Sequence, residues 1–346
     1  MDNKKLEKLI LENGIPKYRL SQIQKAILID AQESFLNISN LPLELRTILN
    51  KEIEILPFKI KTLLVSKDER AIKALLVLKD ENLIETVLIS PKPDVWSACI
   101  SSQAGCALGC LFCATGKEGF KRDLTVDEIT SQVLFWRQYI KNNLAPKNEN
   151  LKFENIVYMG MGEPFLNWEN VKESIIELTD PKLFNFRNRG IAVSTAGVVD
   201  KIEDFADTFP QANLAISLHF ADNAKRSEFM KINKLHDLNK LKLALKNYLS
   251  KSNRRIFIEY ILMDKVNDTK EDALKLAKFL KEINSAKLLH VNLIRYNSIG
   301  FGLNPSSPNT TQKFKDILKK EGVTVTIRKS LGADISGACG QLAGEK

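Results

Sequence analysis

The chemistry in this sequence concentrates in Cys106-Ala-Leu-Gly-Cys110-Leu-Phe-Cys113, with a further thiol upstream at Cys99 and a fifth far along the chain at Cys339. Three thiolates separated by three and then two residues reach three irons of a four-iron cluster, whereas a closed structural metal site wants a fourth protein ligand. One iron is then left open to an outside ligand. Gly105 and Gly109 let the backbone fold tightly around a compact inorganic body and leave room for amides to bond its sulfides. A zinc knuckle and buried core thiols are the alternatives on these residues, but no partner Cys-x-x-Cys and no nearby His completes a tetrahedron. Cys339 stands between Gly337 and Gly340 on a glycine-rich C-terminal stretch, the setting of a nucleophilic thiol rather than of a packing residue.

These residues need elements to hold them. From Ala98 onward short apolar runs alternate with amphipathic stretches. The pattern predicts strands over 98–102, 155–159, 190–194, 214–218, 256–262 and 290–294, and a further strand over 323–328. Between them lie helices such as Thr125 to Ile140, capped by Thr125, and Leu238 to Leu249, with Leu241, Leu245, Tyr248 and Leu249 on one side. Strands that alternate with helices imply parallel neighbours joined by crossovers. The fold class is therefore α/β, and six units make a partial (βα)6 barrel. Barrels of this type place chemistry in loops at the C-terminal ends of their strands. The cysteine triad follows the first strand, Gly160-Met-Gly162-Glu163-Pro the second and Ser194-Thr-Ala-Gly197 the third. Ser217-Leu218-His219 ends the fourth, and Asn297 trails the sixth. Each reads by itself as a turn glycine, a helix cap or a satisfied histidine. Together they mark one rim.

Three regions are expected. Residues 1–50 form a small helical domain, with Leu20, Ile23, Ala26 and Ile27 on one face of a first helix and Leu43, Leu45 and Leu49 on a second after Pro42. Residues 51–95 form a β-rich connecting segment, a short antiparallel meander with strands near 60–65, 74–78 and 83–89. Residues 96–346 carry the barrel and the C-terminal cysteine loop, with a surface loop over 141–152. At 346 residues, 44% hydrophobic and 27% charged, the composition is that of a folded globular protein and excludes a disordered chain. No apolar leader and no uncharged run of membrane length is present, which predicts a cytoplasmic protein with no membrane partner. Five cysteines are a poor disulfide scaffold for this length, and a reducing compartment suits cluster ligands. A net charge of +9 points to an anionic partner.

The Cys106, Cys110, Cys113 spacing resembles the radical S-adenosylmethionine (SAM) superfamily, in which the open iron of a [4Fe-4S] cluster is chelated by the methionine moiety of SAM. Adding Ala333-Asp-Ile-Ser-Gly-Ala-Cys339-Gly-Gln-Leu-Ala-Gly344, the chain resembles, over nearly its whole length, the radical-SAM RNA adenine-C2 methyltransferases. That resemblance implies 23S ribosomal RNA and some transfer RNAs as substrates. It implies that Cys106, Cys110 and Cys113 hold the cluster, and that Gly162, Glu163, Ser194, Ser217, Leu218, His219 and Asn297 hold SAM. Gly160 and Gly162 would let backbone carbonyls approach the ligand ammonium. Two SAM molecules are used per turnover. One methylates Cys339 by displacement, and the other, reduced through the cluster by an external electron donor, yields the radical that abstracts hydrogen from the S-methyl group. The carbon radical adds to the adenine ring, Cys99 resolves the covalent adduct through a transient disulfide with Cys339, and Glu85 is the proton acceptor. Adenine C2 is not nucleophilic, which is the physical reason for a protein-borne carbon radical.

Arg295-Tyr296 departs from the pattern, standing where C2 enzymes carry Pro-Trp before the Asn, and is more like the sibling branch that methylates adenine C8 and confers antibiotic resistance. Gly160 to Pro164, Glu259-Tyr-Ile-Leu and Cys339 to Gly344 resemble the C2 branch more closely. Ten Lys or Arg between 225 and 255, against Glu228 and Asp237, predict an electropositive flank for RNA, with recognition of RNA shape and a flipped adenine. Nothing forces a dimer, so a monomer is expected. A cluster-bearing regulatory RNA-binding protein would not need the Cys99 and Cys339 pair, and a radical-SAM enzyme for a small molecule would not need the basic flank.

Overall fold

The computed structural model describes residues 1–283, 288–300 and 302–344. Its N-terminal part is helical: α1 (Asn3–Glu12), α2 (Tyr18–Gln24, continued by a wider turn over Lys25–Ile29) and α3 (Leu43–Glu52). The buried residues follow the three-and-four spacing, Leu6, Leu9 and Ile10, then Ile23, Ile27 and Leu28, then Leu45 and Leu49. Three strands follow, β1 (Phe58–Val65), β2 (Ala71–Leu78) and β3 (Leu83–Lys92), paired antiparallel.

After β4 (Val95–Cys99) come the short partners β5 (Gln103–Gly105) and β6 (Phe120–Asp123) on either side of α4 (Ala114–Glu118), then α5 (Val126–Tyr139). Thr125 starts α5 with a reciprocal cap, its hydroxyl accepting from the Glu128 amide while the Glu128 carboxylate accepts from the Thr125 amide. The chain continues β7 (Lys152–Tyr158), α6 (Trp168–Thr179), β8 (Ile191–Thr195), α7 (Ile202–Thr208) and β9 (Asn213–Ser217). It closes with α8 (Asn223–Phe229), α9 (Leu238–Lys251), β10 (Ile256–Leu262), α10 (Lys270–Ile283), β11 (Leu289–Arg295), α11 (Pro308–Lys320) and β12 (Thr324–Arg328).

β4 and β7 through β12 are parallel neighbours in chain order, and β3 pairs antiparallel with β4, so the meander and the barrel share one ten-stranded sheet. The edge strands β1 and β12 are not paired with each other, which leaves the barrel partial as expected, with the 323–328 strand as its seventh parallel member. Strand ends shift by up to three residues from the sequence reading, and two of the differences have a local cause. The first barrel strand ends at Cys99; Ile100 still bonds the backbone of Val157 and Gly160, and beyond it side chains take over, with Gln132 bonding both the Ser101 amide and carbonyl and Asn167 donating to the Ser102 carbonyl. The 141–152 loop is shorter than expected, since Ile140–Leu144 prolongs α5 as a wide turn.

The N-terminal helices dock on α5. Arg137, Gln138 and Lys141 donate to the carbonyls of Leu28, Gln32 and Asp30, and the Met1 ammonium pairs with Asp127. At the other end of the chain, the segment after β12 folds back over the open side of the sheet. The Lys67 amide donates to the Asp334 carboxylate at 2.9 Å, and the Ala343 amide donates to the Glu85 carboxylate at 2.9 Å. Gly332 sits so close to Ala71 that a Cβ there would meet the Ala71 methyl at 2.8 Å. Among the described residues no helix is long and apolar enough to cross a membrane.

Candidate active site

The C-terminal ends of the parallel strands open into a cavity of about 420 Å³ whose lining includes all five cysteines. Cys99 closes β4, the triad follows on the loop to α4, and Cys339 enters on the returning C-terminal segment. Gly162, Glu163, Ser194, Ser217, His219 and Asn297 line the same space. Leu218 does not: its side chain is fully buried elsewhere, its amide donates to the Glu259 carbonyl and its carbonyl accepts from Arg226. Glu85 does not line the cavity either. Its carboxylate accepts from Lys73 at 2.8 Å and from the Ala343 amide at 2.9 Å, so it meets the site through the C-terminal segment.

The loop that bears the triad is built to be tight. The Cys106 amide donates to the Gly119 carbonyl at 3.1 Å, and the Cys113 amide donates to the Cys110 carbonyl at 3.2 Å. A Cβ on Gly105, whose φ is +73°, would stand 1.8 Å from the Gly119 carbonyl oxygen, so only glycine closes this ring. Burial pushes the Cys106 thiol up to about 12 and Cys110 higher still, so a metal that binds here must displace protons from both. Three thiols on one cavity wall around a loop this compact fit an iron–sulfur body.

The polar rim is fixed by neighbouring backbone. Glu163 accepts from the Phe165 amide at 3.0 Å and the Ala196 amide at 2.7 Å, yet burial outweighs those bonds and pushes its carboxyl up to about 7. Ser194 and Ser217 bond each other at 3.2 Å across β8 and β9. His219 sits at φ +57° with its ring edge-on to Phe112, and its Nδ1 accepts from the Ile261 amide at 3.2 Å. Burial first, and then the Arg226 charge, hold it down to about 3, so the imidazole is neutral and its proton sits on Nε2. Asn297 donates to the Cys339 carbonyl at 3.1 Å and so also positions the C-terminal thiol. Gly160 and Gly162 line the cavity and also have a packing role. A Cβ on Gly160 would meet Ile100 and Ser101 at 2.7 Å, and one on Gly162 would meet Gln103 at 2.6 Å, so their small size serves the close approach of two backbone segments.

Cys99 and Cys339 face a common charge. Burial pushes Cys99 up to about 12, Cys339 is exposed at the cavity, and the Arg328 charge favours the thiolate at both. Arg328 ends β12 and pairs with Glu259 at 3.3 Å, and Asn292 donates to the other Glu259 oxygen at 2.8 Å. Sequence reasoning misses Arg328 and Glu259 as site residues. The available signals were a lone carboxylate inside the apolar run of β10 and a cation at a strand end on the shared rim. The basic flank is also less positive than its composition: Arg226 is buried, Lys225 pairs with Asp272, Lys242 with Glu282, and Lys251 with Glu203 and Asp207.

Residues 100–280 match the Radical SAM superfamily. A protein of Enterococcus faecalis named "Probable dual-specificity RNA methyltransferase RlmN" is 37% identical over 334 residues, which cover 96% of this chain and 91% of that one. A protein of Clostridium botulinum named "Ribosomal RNA large subunit methyltransferase Cfr" is 38% identical over 345 residues, 99% of this chain and 96% of its own. The crystal structure of a radical SAM methyltransferase from Sphaerobacter thermophilus superposes with a TM-score of 0.91 at 35% identity, covering 100% of this chain and 98% of that one.

Proposed function

The chain belongs to the radical SAM superfamily and, within it, to the RNA methyltransferase family of RlmN and Cfr, and we propose that it methylates C2 of one adenine in 23S ribosomal RNA and of an adenine beside the anticodon in transfer RNA. The observation that carries this reading is the meeting of Cys99 and Cys339, from distant parts of the chain, in the cavity that also holds the Cys106, Cys110 and Cys113 triad. When bound, the [4Fe-4S] cluster on that triad supplies the electron that splits SAM reductively, and the fragment removes a hydrogen atom from an alkyl group.

The chain's own residues do the rest. Cys339 loses its thiol proton and takes a methyl group on sulfur by displacement, and Arg328 beside it favours the thiolate that this needs. Glu163, Ser194, Ser217, His219 and Asn297 orient the donor, with neutral His219 offering a hydrogen-bond proton from Nε2. Once the activated carbon on Cys339 has bonded to the base and the resulting ring radical has given its unpaired electron to a one-electron acceptor, Cys99 attacks the Cys339 sulfur as its thiolate. The sulfur–carbon bond breaks, its electron pair stays with the methylene on the ring, and that carbon gains a proton to become methyl. Glu85 accepts the ring proton only after the C-terminal segment moves, because Ala343 and Lys73 hold both of its oxygens in this conformation. The disulfide left behind is opened by an external thiol.

C8 methylation is the second reading, favoured by Arg295-Tyr296 and by the Cfr relative. C2 is the better supported, because Arg295 bonds the Ser306 carbonyl, Tyr296 is buried, and neither lines the cavity. Anaerobic incubation of the reconstituted protein with reductant, methyl-labelled SAM and ribosomal or transfer RNA, followed by nucleoside mass spectrometry, tests both. The expected product is 2-methyladenosine, lost in Cys339→Ala and replaced by a covalent protein–RNA adduct in Cys99→Ala. 8-Methyladenosine would move the protein to the other branch, and no methylated adenosine at all would overturn the assignment.

A further inference from the structure

Arg226 on α8 is 0% exposed, and its guanidinium is spent on uncharged oxygens. Nε donates to the Leu218 carbonyl at 3.2 Å, Nη1 to the Asn233 side-chain oxygen at 2.8 Å, and Nη2 to the Ala196 carbonyl at 2.5 Å. Among the described residues no carboxylate pairs with it, although its neighbour Lys225 has Asp272 at 2.8 Å. A second internal arginine, Arg137, also bonds carbonyls, but it is half-buried and lies over the Phe184 and Phe186 rings, which supply negative faces. An enclosed cation with no anion is strongly unfavourable, so the missing partner is the feature to explain.

Arg226 is held against the wall of the site: the Ala196 carbonyl it bonds belongs to a residue that lines the same cavity as Cys106, Cys110 and Cys113. The helix that carries Arg226 abuts the triad loop, with the Leu111 amide donating to the Phe229 carbonyl at 3.1 Å. Between them Phe112, Phe220 and Phe229 form a run of rings with centroids 6.5 and 5.0 Å apart. Little water enters to screen the charge.

We propose that Arg226 is the built-in counter-charge of the cluster, a positioning residue on the helix packed against the triad loop that stabilises the loaded over the cluster-free protein and favours the reduced cluster. The inference rests on the reading that Cys106, Cys110 and Cys113 ligate a four-iron cluster. Net charge around such a cluster sets its potential, so removing a cation disfavours the added electron.

The test is an anaerobic redox titration of the reconstituted, SAM-free protein followed by electron paramagnetic resonance, with thermal unfolding of loaded and cluster-free samples. Arg226→Gln should shift the midpoint potential negative and shrink the gain in Tm on loading, while Arg226→Lys stays near the parent. If Arg226→Gln does not fold or load, Asn233→Asp decides, because it leaves the arginine in place and neutralises it; the same negative shift is expected. Parent-like potentials and loading gains in the variants that load would overturn the inference, as would an equal shift in Arg226→Lys. A parent protein without four irons and four sulfides per chain would instead mark failure of the ligand assignment, and the inference would fall with it.

Discussion

Glu163 shows how one residue can carry both a site and a stability cost. Its two oxygens hold the turns after β7 and β8, while burial pushes its carboxyl from 4.5 up to about 7. The folded chain therefore holds the Glu163 proton more tightly than the unfolded chain. Its contribution to stability is full below about pH 4.5 and is lost as pH rises through about 7, by up to roughly 3 kcal/mol. Denaturant unfolding of the ligand-free protein from pH 4.5 to 8 should show this decline, and Glu163→Gln should flatten it. A ligand ammonium seated on the carboxylate pulls the other way, so SAM should reduce the step; a parent slope unchanged in Glu163→Gln would place the titration elsewhere. The residue type and rim position of Glu163 were legible in the sequence. Its protonation was not, because burial is set by neighbours from several strands.

At the scale of elements, the parallel strands were readable because their apolar runs are short, bounded by turn residues and separated by amphipathic helices. Which side of a loop faces the cavity was not readable. Gly160 and Gly162 pack against Ile100 and Gln103 as well as lining the cavity, Leu218 turns into the core, and Arg328 reaches Glu259 two strands away, all consequences of sheet register and twist that no local pattern encodes. The triad loop gives the clearest element-level prediction. Gly105 and Gly119 have nearly the same φ, +73° and +70°, but a Cβ on Gly105 collides with the Gly119 carbonyl whereas one on Gly119 meets nothing within 4 Å. Gly105→Ala should therefore cost about 2–4 kcal/mol, and Gly119→Ala about 1 kcal/mol of conformational strain. Iron per chain after reconstitution should drop sharply in the first and little in the second, with far-ultraviolet circular dichroism of both like the parent. Equal iron in the two variants would mean that the collision is relieved by a loop shift and that the loop is not held tightly.

At the scale of the whole molecule, the net charge of +9 was plain, but its distribution depended on partners far apart in sequence. Acids on α7 and α10 reach the basic stretch after β9 and cancel part of it. The exposed lysines of the N-terminal helices, Lys4, Lys17 and Lys51, then matter more for an anionic partner than the linear count implied. Deleting those helices would be the wrong test. Leu6, Ile23, Ile27, Leu28, Phe35 and Leu49 are each 0% exposed, and each contributes about 1.5–3 kcal/mol by burial, so truncation would expose their partners on α5 and cost stability before it reported on RNA. Changing Lys4, Lys17 and Lys51 together to Glu leaves that packing intact. Tm should stay close to the parent, while RNA affinity falls and the slope of log affinity against log salt flattens by about 0.7–0.9 for each phosphate that the protein no longer neutralises. An unchanged slope at unchanged Tm would mean that the RNA backbone runs over another face, and the uncancelled lysines nearest the cavity, Lys231 beside the triad loop and Lys329 at its mouth, would be the next to reverse.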